Sequence, residues 1–209
     1  FSKMRTFSHP GYKRFLLSVG CLLSIHFTAL FFLTLFRLVF FFSANYDFPD
    51  QEHVGFMSIW PAFIRGVWFD NVIACYILLI PLVAVSISAL FNYYGKILWN
   101  VTCIFFSLFY GIVLLVTAAN IPYFQYFFKI INSSVFNWFG YMNTTAGMVF
   151  GETSYYPPLI GFLLTLVLFI WLMRRLIRHF QRLLNTKNPS VFWLDRIYIF
   201  LTACICIGL

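Results

Sequence analysis

Charge is scarce in this chain. Among 209 residues, 10% are Asp, Glu, Lys or Arg, 62% are hydrophobic and the mean hydropathy is +0.87. A soluble domain carries about 25% charged residues, and the 14 basic and 6 acidic side chains here are too few to clothe a water-facing core. A water-soluble fold is thereby excluded, and lipid must be the solvent for most side chains. Metal-like cysteine patterns are lacking too. Cys21, Cys75, Cys103, Cys204 and Cys206 form no CxxC pair and no zinc-like spacing with histidine, so they read as small buried apolar residues of the spans. Nor is there a small-residue cleavage site. Lys3, Arg5, Lys13 and Arg14 open the chain like a secretory signal, but the apolar run from Phe15 to about Ala44 is too long for one and reads as an uncleaved anchor.

What the chain has in abundance is apolar runs. A helix crosses the hydrocarbon with about 20 apolar residues, and five runs are candidates: Phe15 to Phe36 with an extension to Ala44, Val67 to Phe91, Ile97 to Ile121, Tyr156 to Met173, and Phe192 to Leu209. Their phenylalanine-rich texture lacks the alternation of barrel strands, which predicts an all-α, polytopic membrane helix bundle. Basic residues gather before the first run, at Lys96, and from Arg174 through Arg175, Arg178 and Arg182 to Lys187, where the fourth helix should continue past the membrane. The other connections hold Asp47, Asp50, Glu52 and Glu152, with Arg65 and Lys129 as their basic residues. The positive-inside rule then places the N-terminus in the cytoplasm and, after five crossings, the C-terminus outside. The basic stretch reads as a stop signal touching anionic headgroups, and nucleic acid is not an expected partner.

The chain starts at Phe1 and stops at Leu209 inside an apolar run, so it is expected to be a fragment with a further domain downstream. The external stretch from Ile121 to Pro157 is rich in Tyr, Phe and Trp, which favour the headgroup layer. Short interfacial helices are expected there, over Phe124 to Ile131 and Ser134 to Tyr141, with Pro157 and Pro158 starting the fourth span. The outer loop from about Asn45 to Gly66 ends in the equally interfacial Trp60 to Arg65. Asn132 with Ser134, and Asn143 with Thr145, match the glycosylation acceptor pattern.

Few polar side chains fall within the runs. His26 lies 11 residues into the first span, near the bilayer centre, where a neutral ring facing other helices is expected, as a packing residue or a proton or ligand site. Arg37, Arg65 and Asp70 fall at one level and are the headgroup-binding candidates, with structural anchoring as the alternative role. Asp195 and Arg196 open the last span, and Pro81 should bend the second.

Gly66, Val67, Trp68, Phe69 and Asp70, the apolar run to Ile80, Pro81 and Leu82, and the Asn120 to Phe124 and Asn132 to Ser134 segments resemble the membrane half of the lipoteichoic acid synthase family. These are bacterial phosphoglycerol transferases and sulfatase-like proteins of the alkaline phosphatase superfamily. One departure is Asn120, where the family usually has an acid. The resemblance implies a multi-pass protein of the bacterial cytoplasmic (inner) membrane, whose five helices precede an extracytoplasmic domain with a threonine nucleophile and a divalent metal, Mn or Mg. Such a domain would follow Leu209. Glu152, Thr153 and Ser154 are suggestive, but no Asp and His set completes a metal site, so no catalytic or metal-binding residue is expected within the 209. The expected role is a membrane anchor for an envelope enzyme acting on lipid-linked phosphate esters, with membrane lipids and the external domain as its partners. The alternatives are a small transporter or channel subunit and the membrane domain of a phosphoethanolamine transferase. Oligomeric state is not legible.

Overall fold

The computed structural model of the chain describes residues 10–46, 56–127, 129–131, 147, 151, 155–184 and 193–208. The described residues are all-α and form five helices in chain order: α1 (Pro10–Tyr46), α2 (Phe56–Leu90), α3 (Lys96–Phe127), α4 (Tyr156–Leu184) and α5 (Trp193–Gly208). The first four are long and apolar enough to cross a membrane; α5 has 16 residues, about 24 Å at 1.5 Å per residue.

Each long helix outruns its hydrophobic stretch. The second begins at Phe56 and not near Val67, so Trp60 to Arg65 are helical, and the fourth runs on through its basic residues to Leu184. The 37 residues of α1 extend about 55 Å, against a hydrocarbon thickness of about 30 Å. Hydropathy stops where polar side chains begin, but the backbone keeps its own hydrogen bonds by staying helical. Likewise α3 absorbs Phe124–Phe127, Lys129 to Ile131 are not helical, and no separate interfacial helix starts at Phe124. The expected helix over Ser134 to Tyr141, both acceptor asparagines and the Glu152 to Ser154 triplet lie outside the described residues. Pro157 and Pro158 do sit in the first turn of α4, and Pro81 lies buried within a continuous α2.

The described residues fall into two units. One is drawn from Phe1–Phe27, Ala74–Phe106 and Trp171–Leu209. Its core takes one stripe from each helix: Phe15, Leu22 and Ile25 of α1, Val85 and Ala89 of α2, Trp99 and Phe106 of α3, Met173 and Ile177 of α4, and Ile199 of α5. Tyr12 joins α1 to α5 by a 3.2 Å hydrogen bond to Thr202 Oγ1 and a ring contact with Tyr198 at 5.8 Å.

The other unit is drawn from Thr28–Ile73 and Ser107–Ile170. Phe32 of α1, Tyr110 of α3 and Phe169 of α4 meet there edge to face, with centroids 6.3 and 5.5 Å from that of Phe169, the preferred geometry for rings that carry a quadrupole. Gly111 faces Leu166 across this interface.

Outside these stripes large apolar side chains are exposed. On α4, Ile160, Leu163, Leu164, Val167, Leu168 and Trp171 form a continuous apolar face at helical spacing, which in water would drive aggregation and in a bilayer meets its natural solvent. The cysteines divide the same way. Cys21 is buried and Cys103 half-buried, but Cys75, Cys204 and Cys206 are exposed. Expecting all five to be buried was wrong for these three, because a small apolar residue on a membrane helix can face lipid as readily as protein.

Candidate functional site

Arg37 sits late in α1 and Asp70 in the first half of α2. They form a bidentate ion pair: Arg37 Nε–H donates to Asp70 Oδ2 at 3.1 Å, and Nη2–H to Oδ1 at 2.8 Å and to Oδ2 at 2.9 Å. The side chains are 32% and 13% exposed. Gly66, one turn before Asp70, is what lets the guanidinium lie flat, since a Cβ at that position would collide with Arg37 Nη1. The glycine and acid of the Gly66 to Asp70 segment are thus spaced i, i+4 on one face of α2, and an arginine fills the space between them.

Of the three headgroup candidates, the structure joins two and leaves the third apart. Arg65 is exposed on α2 and takes no part in the pair. Because Asp70 neutralises Arg37, the pair attracts an anion weakly, whereas the Arg65 guanidinium stands at the surface outside that pair. Sequence reasoning grouped the three by level along the helices and had no means of seeing that position 65 points elsewhere.

Two further ties in the same unit were not foreseen. Gln125 Nε2 donates to Ser43 Oγ at 2.9 Å, and Asn120 Oδ1 accepts the Ile131 N–H at 2.8 Å, fastening the chain after α3 back onto that helix. An acid at position 120 could accept the same bond, so asparagine there keeps the architecture. Phe40 and Phe124 meet edge to face at 5.2 Å nearby in this unit.

His26 of α1 is 5% exposed, and its ring meets that of Phe27 edge-on at 5.7 Å. Five hydroxyls in the spans bond locally: Ser18, Ser24, Thr34, Ser86 and Thr117 each donate to the carbonyl four residues earlier in their own helix. Among the described residues no group of three or more His, Cys, Asp or Glu could hold a metal ion.

No protein family, curated protein or solved structure matches this chain.

Proposed function

We propose that the chain is the membrane domain of an envelope enzyme of the bacterial cytoplasmic membrane. Its N-terminus lies in the cytoplasm, and it holds an extracytoplasmic domain, continuing after Leu209, at the outer leaflet. There the enzyme transfers phosphoglycerol, or hydrolyses related lipid-linked phosphate esters, with a divalent metal held by that domain. The observation that carries this reading is the polarity of the crossing helices. Arg14 of α1 and the Arg174 to Arg182 stretch of α4 lie at ends the positive-inside rule assigns to the cytoplasm. The far part of α1 ends in a charge-neutral brace.

In this arrangement Arg37 and Asp70 set the spacing of α1 and α2, while Arg65 attracts the phosphate of a lipid donor toward the external domain. The full-length enzyme carrying Arg65→Ala should lose several-fold in kcat/KM on a lipid substrate in vesicles and little on a soluble phosphate ester. Equal loss on both substrates would remove Arg65 from headgroup recognition. A reporter fused after Leu209 that becomes active in the cytoplasm would remove the anchor reading altogether.

A further inference from the structure

The first unit contains a second polar site, unrelated to the ion pair. Helix α2 closes in a Schellman turn: the Asn92 N–H reaches Ala89 O at 3.1 Å, the Tyr93 N–H reaches Ser88 O at 2.8 Å, and Asn92 takes a left-handed φ of 55°. Lys96 then starts α3. This turn, Arg14 of α1 and the last turn of α4 at Gln181 and Leu184 surround a cavity of about 310 Å³, with Trp99 in its wall. Its volume is at the lower end of the range of small-molecule sites.

The wall is short of hydrogen-bond partners. Trp99 is 1% exposed, yet its Nε1, the Tyr94 hydroxyl and Asn92 Oδ1 are buried without a partner among the described residues. An indole N–H can only donate, and buried polar groups are almost always satisfied. The three residues that carry these orphans all line the one cavity. A half-turn of the Asn92 amide exchanges its oxygen for two further donors.

The charge pattern selects an anion. Arg14 is only 8% exposed; its Nη2–H caps the Leu184 carbonyl at 2.8 Å and its guanidinium lies 5.9 Å from the Tyr94 ring centroid, so it offsets the negative end of α4. That leaves the Lys96 ammonium and the first-turn N–H groups of α3, the positive end of a helix dipole. No carboxylate is among the described residues that line the cavity. Burial pushes the Tyr94 phenol up to about 12, against the opposing pull of Arg14, so its hydroxyl keeps its proton at physiological pH.

We propose that this cavity binds a phosphate group, with the Trp99 indole N–H and the Tyr94 hydroxyl donating to phosphoryl oxygens and Lys96 supplying the charge. The positive-inside rule assigns these helix ends to the cytoplasmic side. The phosphate then belongs to an inner-leaflet headgroup or to a soluble phosphate ester.

The test uses the isotope-labelled chain in phosphate-free maltoside micelles and reads the Trp99 indole resonance, assigned by its disappearance in Trp99→Phe. Glycerol phosphate is titrated in one arm and phosphatidylglycerol in the other. A shift in the first arm, with or without the second, marks recognition of the phosphate group itself; a shift in the second arm alone marks a lipid headgroup. In either case Tyr94→Phe should weaken binding about ten- to a hundredfold, the usual worth of a hydrogen bond to a charged group. Should that variant lose its helical circular dichroism, Lys96→Ala at an exposed position decides by the same criterion. An indole unmoved in both arms overturns the proposal, as does a midpoint unchanged in the deciding variant.

Discussion

At the scale of single residues, Arg37, Asp70 and Gly66 act as one device. Truncating either charge leaves the other without its bidentate partner, so Arg37→Ala and Asp70→Ala should each lower stability by about 1–3 kcal/mol, the Arg37 side chain being exposed enough for some of the loss to be screened. Thermal unfolding in detergent is the measurement, and the double variant should lose clearly less than the two single losses together. Gly66→Ala should fall in the same range by driving the guanidinium off the carboxylate, and most of that effect should vanish in an Asp70→Ala background. The special position of these residues was visible in the sequence as a glycine and an acid four apart beside a helix-terminal arginine. Which arginine would be the partner was not visible, because Arg37 and Arg65 fall at the same level and position 65 reads as loop; with α2 helical from Phe56, Arg65 lies five residues from Asp70 and so about 140° round the helix from it. Asn120 and Gln125 were illegible for a related reason. Their partners, Ile131 and Ser43, are set by how the chain leaves α3 and by the packing of the second unit, and no local periodicity encodes either.

At the scale of elements, the turn from α2 to α3 depends on one left-handed residue. Asn92→Gly should be close to neutral, whereas Asn92→Val should cost about 1–2 kcal/mol because a branched Cβ meets the carbonyl oxygen at positive φ. Comparing the two melting temperatures in detergent checks this. The existence and order of the helices were legible from hydropathy alone, since a run of 20 apolar residues leaves the backbone no other economical form. Their ends were not. Phe56 to Gly66 reads as a loop in composition, with Pro61 inside it, but the structure carries α2 through the whole stretch. The basic end of α4 was better signalled, because its arginines recur at helical spacing after the apolar run. There the guanidinium of Arg175 lies 5.3 Å from the centroid of the Trp171 ring, one turn earlier, a cation–π contact at the level where an indole and an arginine both favour the interface.

At the scale of the whole molecule, orientation is the quantity to measure. A single cysteine introduced at Asn92 in a cysteine-free background should be shielded from a membrane-impermeant maleimide in intact cells and labelled after permeabilisation, whereas one at Ile130 should be labelled from outside. The reverse pattern would invert the reading of the charge bias. The spent hydroxyls of Ser18, Ser24, Thr34, Ser86 and Thr117 bear on a different property. Each of these hydroxyls gives its proton to its own helix, so none of those hydrogens is left to donate across to a neighbouring helix. Cohesion between the helices should therefore come from side-chain packing and not from hydroxyl bridges: Thr34→Val and Thr117→Val should each leave the melting temperature in detergent nearly unchanged.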